Sequence, residues 1–315
     1  MKKTVRKAVI TAAGKGTRHY PATNAVQKEL FPIVDRDGVT KPVIQFVVEE
    51  ALAGGIEQIC IITQPGGERA FQEHFTGLPN DSSLRQKPWA KRECDKLEHM
   101  QQIISYVFQE AQEGFGHAVH CAAEWVGDEP FLLMLGDHIY LAERTGLCSR
   151  QMIQTFSDHG RSVFGVQQTA VDRLHLFGTV KGDVRLSSTP PTYTVATVYE
   201  KPDAEVARQF LQTPGLAEDQ FLTFFGLYIF TPALFSILQE HIVQNKRERG
   251  EIQLTTAQAE VVQREGAVAV EVEGTRLDMG TPFGYVETQL LLAMKGTLAA
   301  ELERVFESSA STWLM

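Results

Sequence analysis

"AVITAAGKGTRHYPATNAVQKELFPIV", residues 8–34, sets a β-branched strand against a loop that carries two glycines and the cations Lys15, Arg18 and Lys28. A run such as "KAVITAA" that ends in a glycine loop and is followed by a helix is the opening of a βαβ unit. In "KPVIQFVVEEALAGG" (41–55) Ile44, Val47, Val48, Ala51 and Leu52 recur at helical spacing, and Gly54 and Gly55 then stop the helix. "QICIIT" (58–63) is apolar almost throughout, the pattern of a strand buried on both faces of a parallel sheet. These elements predict an α/β fold.

Working outward, residues 76–98 read as a loop leading into an exposed helix, and "ISYVFQ" (104–109) as a further strand. "GHAVHCAAEWV" (116–126) reads as a helix that opens after glycines. "EPFLLMLGDH" (129–138) is a buried strand that delivers Asp137 at its C-terminal end, the edge where open α/β sheets bind ligands. After about residue 140 the strands "RSVFGVQQT", "TVATVYEKP" and "FLTFFGLYIF" are separated by longer polar connections, an α+β portion expected to lie against the first. "VAVEVEGTRLDMG" (268–280) adds one or two strands. Val286, Leu290, Met294, Leu298, Leu302 and Val305 then fall on one face of a single long C-terminal helix, a stripe expected to pack on the fold and to supply part of a contact between copies. The chain thus divides at 1–140, 141–282 and 283–315.

Composition narrows the function classes. A chain of 315 residues, 43% apolar and 22% charged, has the balance of a soluble globular protein. Thirty Lys and Arg against thirty-nine Asp and Glu give a net charge of -9, which disfavours binding to long polyanions such as nucleic acid. Cys60, Cys94, Cys121 and Cys148 show no CxxC or finger spacing, so neither a zinc site nor a disulfide framework is expected and a cytoplasmic, reduced setting is. The start "MKKTVRK" has basic residues but no adequate apolar segment after it for a leader, and no stretch is long and apolar enough for a membrane span.

The glycine loop fits neither common phosphate motif. There is no GxxxxGK[ST], and GxGxxG would need glycine where His19 stands. Two readings stay open on the loop alone: an ordinary glycine turn with surface cations, or a backbone that approaches phosphates at Gly14 and Gly16 while Arg18 forks onto phosphate oxygens and Lys28 adds a point charge.

"GKGTRHYPATNAVQKELFPI" resembles the G-x-G-T-R-x-x-P-x-T-x-x-x-x-K-x-x-x-P signature of the sugar-1-phosphate nucleotidyltransferases, with Gly14, Gly16, Thr17, Arg18, Pro21, Thr23, Lys28 and Pro32 in place. The likeness is more specific to the bacterial UTP:glucose-1-phosphate uridylyltransferases and continues through "GFGHAVHCAAEWVGDEPFLLMLGD", "VYEKP" and "GEIQLTTA" to "DMGTPFGY". It thins at about 66–105, 140–190 and the last twenty residues. It implies a Rossmann-like, glycosyltransferase A-like fold, with a mixed, mostly parallel central sheet flanked by helices and a smaller β-rich sugar-binding portion.

The resemblance also implies roles. Ala13, Gly14, Gly16, Thr17, Gln109, Gly114 and Gly116 would bind the nucleotide, with Gln109 reading the uracil edge; an amide offers both a donor and an acceptor. Arg18 would hold the β- and γ-phosphates of UTP and Lys28 the α-phosphate region. Asp137, a lone carboxylate at a strand end, would hold Mg²⁺, with Asp278 as a second metal position. Glu200 would take sugar hydroxyls, Lys201 the phosphate of glucose 1-phosphate, and Gly226 would lie beneath the sugar ring. The implied product is UDP-glucose, and the implied assembly a dimer or tetramer.

Several positions depart from the family pattern. Gln27 replaces a usual proline, "RDGVT" (36–40) reads as an inserted turn, Glu110 replaces a usual glycine, and His138 stands where relatives carry Asp or another polar residue. Gln27 and Glu110 are expected near the nucleotide. Two further readings therefore accompany the first: the same chemistry with dTTP, CTP or another hexose 1-phosphate, and a catalytically silent sugar-nucleotide sensor.

Overall fold

The computed structural model describes residues 4–313, with side chains through Ser308; the first three residues of "MKKTVRK" and the last two of the chain lie outside it. Its strands are β1 (Lys7–Thr11), β2 (Pro32–Val34), β3 (Thr40–Pro42), β4 (Gln58–Thr63), β5 (Ile104–Phe108), β6 (Phe131–Leu135), β7 (His138–Leu141), β8 (Ser162–Ala170), β9 (Thr179–Ser188), β10 (Pro191–Tyr199), β11 (Gln220–Phe230), β12 (Ala267–Glu271) and β13 (Thr275–Asp278). Its helices are α1 (Val43–Gly54), α2 (Glu68–Thr76), α3 (Pro88–Ile103), α4 (Phe115–His120), α5 (Ala123–Val126), α6 (Leu147–His159), α7 (Ala204–Phe210), α8 (Ala233–Val243), α9 (Leu254–Glu265), α10 (Pro282–Met294) and α11 (Ala299–Trp313).

Nine strands form one sheet in the order β5-β4-β1-β6-β11-β8-β12-β10-β9. Pairing is parallel from β5 through β6 and between β8 and β12, whereas β11 and β10 run against their neighbours. The sheet is therefore mixed, with most strands pointing one way, as expected of the α/β fold. Strands from after residue 140 continue this same sheet, β11 lying directly against β6. β9 also pairs with β11 through Leu222↔Val180 and Thr223↔Thr179, which closes β11, β8, β12, β10 and β9 into a ring.

The period of two along each strand feeds two cores. In β1, Val9 joins Phe131, Leu133, Val119 and Leu234 on one face, while Ala8 and Ile10 join Leu132, Met134, Val47 and Phe71 on the other. A third, smaller core of Phe31, Ile33, Val43, Leu277, Met279 and Leu292 ties the loop after Lys28 to β13 and α10. Further bonds tighten that tie. His19 Nε2 meets the Met279 carbonyl at 2.8 Å, and Tyr285 Oη and Gln289 Nε2 donate to the Pro32 carbonyl at 3.1 and 3.0 Å.

The long C-terminal helix expected from the apolar stripe is two helices, broken between Met294 and Ala299. The break has a tertiary cause. A Cβ on Gly296 would lie 2.6 Å from Arg36 Cα, and Thr297 N–H donates to the Arg36 carbonyl at 2.8 Å, so the inserted turn at 36–40 seats in the break. Nor does most of the stripe pack against the fold: Val286, Met294 and Val305 are more than half exposed, while Leu290 and Leu298 are each 37% exposed and Leu302 is half-buried. The segment 116–126 is likewise two short helices, α4 and α5, joined at Cys121–Ala122.

Candidate active site

The parallel strands β1, β4, β5 and β6 bring their C-terminal ends to one edge, and the loops beyond them line a cleft of about 580 Å³. Ala13, Gly14, Arg18, Lys28, Gln109, Gly114, Asp137, Glu200, Lys201 and Asp278 all face it. An adjoining hollow of about 220 Å³ shares Arg18, Glu200, Lys201 and Asp278 and extends to Gly178, Gly226 and Arg276. Residues far apart in the sequence thus meet in one place.

Asp137 is the electrostatic centre. The chain leaves β6 through Gly136, where a Cβ would meet the Thr11 carbonyl at 2.6 Å, and the next residue is delivered 8% exposed. Its Oδ2 pairs with Lys28 Nζ, and His138 Nδ1 lies 3.0 Å from Oδ1. Burial opposes ionisation of this carboxyl, but the Lys28 ammonium and the His138 ring outweigh it and hold Asp137 well below the usual carboxylate range. Burial likewise works against the Lys28 charge, and the carboxylates of Asp137 and Glu29 overcome it to push the ammonium up.

β13 pairs with β7 so that Asp278 stands opposite His138, bringing the second carboxylate to the first. Ligand atoms of Asp137, His138 and Asp278 lie within 4.8 Å of one another. A Cβ on Gly280 would sit 2.8 Å from Asp137 Oδ2, 2.9 Å from Asp278 Oδ1 and 3.0 Å from Arg18 Nη2, so glycine keeps open the space between the two acids. Hard carboxylate oxygens around a space that a methyl group would fill suit a divalent cation.

At the nucleotide end most polar groups already have protein partners. Gln109 Nε2 donates to the Gly114 carbonyl at 3.1 Å and lies 3.2 Å from His117 Nδ1, which leaves Oε1 as the end of the amide without a partner among the described residues. The Ala13 carbonyl accepts from Gln64 and Gln112 at 2.8 and 2.9 Å. Gly16, Thr17 and Gly116 do not reach the cleft wall. Gly16 holds φ +61, where a Cβ would lie 2.8 Å from Thr23 Cγ2, and so shapes the turn from behind. Gly116 packs on the segment before α9, donating to the Ile252 carbonyl at 2.8 Å.

The sugar end is built differently. Lys201 follows β10 with φ 47, a left-handed conformation that costs a side-chain-bearing residue on the order of 1 kcal/mol, and its Nζ reaches only 3.7 Å from Glu200 Oε1. Thr255 Oγ1 donates to Glu200 Oε2 at 2.6 Å. At Gly226, φ +86, β11 slips register against β8, and Tyr140 Oη donates to the freed carbonyl at 2.7 Å.

Neither Gln27 nor Glu110 lines the cleft, contrary to expectation. A Cβ on Gly67 would lie 2.5 Å from Gln27 Nε2, so that side chain is turned toward the start of α2, and Glu110 is exposed. Two further groups in the site, Glu29 and Arg276, belong to no motif that marks them in the sequence. Glu29 is 1% exposed and pushed up to about 7, by burial first and by Asp137 next, against the pull of Lys28. Arg276 was unmarked, although its place two residues before Asp278 in a strand puts both on one face.

A sequence profile described as Nucleotidyl transferase matches residues 7–295. The UTP--glucose-1-phosphate uridylyltransferase of Bacillus subtilis (strain 168) is 38% identical over 298 residues, covering 93% of this chain and 92% of the relative. A second protein of that organism, UTP--glucose-1-phosphate uridylyltransferase YngB, is 35% identical over 325 residues and is covered along with this chain to 100%. Among solved structures, a UDP-glucose pyrophosphorylase complexed with UDP-glucose superposes with a TM-score of 0.74 at 27% identity, covering 92% of this chain and 99% of that one. With the profile spanning most of the chain and the fold shared throughout, the protein belongs to the nucleotidyl transferase family.

Proposed function

We propose that the protein transfers a uridylyl group from UTP to glucose 1-phosphate, giving UDP-glucose and pyrophosphate. The observation that carries this reading is the continuity of the cleft, which runs from Gln109 and Gly14 past the Asp137 and Asp278 pair to Glu200 and Lys201. It has room for a base at one end, phosphates in the middle and a sugar phosphate at the other. The relatives' names support the choice of substrates.

In the reaction a phosphate oxygen of glucose 1-phosphate bonds to the α-phosphorus of UTP as the bond from that phosphorus to the β-phosphate bridge breaks. The electron pair departs on pyrophosphate, and no covalent protein intermediate is needed. Two anions must meet, so catalysis rests on positioning and on charge. Arg18 holds the departing phosphates, Lys28 the α-phosphate, and Lys201 the attacking phosphate. Glu200 takes sugar hydroxyls, and Gly226 gives the ring a floor without a side chain. Asp137 and Asp278 would hold Mg²⁺, which when bound would supply positive charge to the nucleotide phosphates. Because Lys28 pairs with Asp137, phosphate binding has to compete for that ammonium.

The free acceptor on Gln109 suits the N3–H of uracil or thymine and not the bare N3 of cytosine. Four free cysteines and phosphorylated metabolites as substrates support a cytoplasmic setting. The exposed stripe of Phe283, Val286 and Met294 supports self-association in a dimer or tetramer through α10. The deciding measurement is pyrophosphate release over a grid of nucleoside triphosphates and sugar 1-phosphates, with and without Mg²⁺. UTP with glucose 1-phosphate should dominate; UDP-glucose binding with a flat grid would make the protein a sensor instead.

A further inference from the structure

Arg276 is a cation in the sugar end of the cleft that, among the described residues, enters no ion pair within 4.0 Å, the Asp278 carboxylate acting on it from beyond that distance. Its guanidinium lies 3.9 Å from the centroid of the Phe177 ring, one Nη1–H donates to the Phe224 carbonyl, and Nε is buried without a partner. A guanidinium carries five N–H donors in a rigid fork; with one spent on Phe224 and Nε closed off by burial, the other Nη hydrogens are without a partner among the described residues beside an open hollow. Position along the strand says what that capacity meets. Residues two apart in a strand are separated by roughly 6–7 Å, about the breadth of a pyranose ring, and Asp278 at the near end stands beside Asp137. With the phosphate of the sugar held near Lys201 and the acidic pair, Arg276 lies one ring's breadth further in.

We infer that Arg276 is a sugar-specificity residue, whose unspent N–H donors take the hexose hydroxyls remote from the 1-phosphate. The inference rests on the uridylyl-transfer reading for the identity of the sugar. It predicts selection for hexoses that carry oxygen at C3, C4 or C6.

The test is a cycle between protein and substrate, read as dissociation constants by calorimetry in the presence of a non-hydrolysable UTP analogue. Glucose 1-phosphate and its 3-, 4- and 6-deoxy analogues are compared on the wild type, Arg276→Met and Arg276→Lys. At least one deoxy analogue should bind the wild type about 10- to 100-fold more weakly and lose nothing further on Arg276→Met, while UTP affinity stays within about twofold. Arg276→Lys keeps a long side chain and the charge but not the fork, and it carries the cycle should Arg276→Met fail to fold. Deoxy penalties that persist undiminished in both variants overturn the inference and leave Arg276 as a brace for Phe177 and Phe224. The measurement needs no turnover, so an inactive wild type that still shows the coupling refutes the proposed reaction alone.

Discussion

The two ends of the cleft differ in how their polar groups are held before any substrate arrives. At the nucleotide end Asp137 is engaged by Lys28 and His138, the Gln109 amide by Gly114 and His117, and the Ala13 carbonyl by two glutamines. At the sugar end Lys201 has one contact at 3.7 Å and Arg276 has most of its donors free. The first region is largely set in place by the protein; in the second Glu200 is held by Thr255, and it is the two cations that are completed by what they bind. Pre-set groups lose little entropy on binding and act chiefly on the transition state, whereas unspent donors act as affinity.

That contrast can be broken by experiment. The largest effect is expected for Asp137→Asn, which removes the carboxylate from the metal space and leaves the Lys28 ammonium with Glu29 as its carboxylate partner. Losing such a charge pair costs roughly 2–5 kcal/mol, so turnover should fall by about 10²–10³-fold or more, and a near-normal rate would remove Asp137 from the chemistry. Lys201→Ala should come next, with kcat/KM for glucose 1-phosphate down by about 10²-fold and the KM for UTP unchanged; equal losses for both substrates would erase the division between the ends. Gly280→Ala puts a methyl group between the two acids and should weaken Mn²⁺ binding, followed by electron paramagnetic resonance, by about 10- to 100-fold.

A smaller effect separates the titration of the fold from that of the cleft. His74 on α2, 3.1 Å from the Gln45 amide oxygen, is lowered to about 4 by burial. An unfolded histidine takes up its proton near pH 6.5, so the unfolded state binds more protons between about 6.5 and 4 and stability is lost as pH falls through that window. Replacing His74 with Gln should flatten the urea-denaturation stability across it by roughly 1–3 kcal/mol without moving the pH profile of turnover at neutral pH.

Sheet and loop were legible for a simple reason: a strand buried on both faces must be apolar throughout, and a turn at φ +61 selects glycine at position 16. Asp137 was legible as a carboxylate closing an apolar run. What escaped depends on partners distant in sequence. The break after Met294 follows from the turn at 36–40, some 260 positions earlier, so helical periodicity ran through it; Gly296 was the only local sign. The closure of β9 onto β11 leaves no mark in either strand's alternation. Arg276 was hidden by its own plainness, since one arginine in a short strand is ordinarily a solvated edge.

The tie between the loop after Lys28 and the segment from Leu277 to Leu292 has a consequence for what can loosen independently of the core. All nine strands of the main sheet lie at or before Glu271, so the ladder of the sheet needs nothing from that segment. The carbonyl that holds His19, and the tyrosine and glutamine that hold Pro32, come only afterwards. An opening of that segment would therefore free Arg18 and Lys28 from their frame while the sheet stays intact, which separates the order of the cationic loop from the stability of the core.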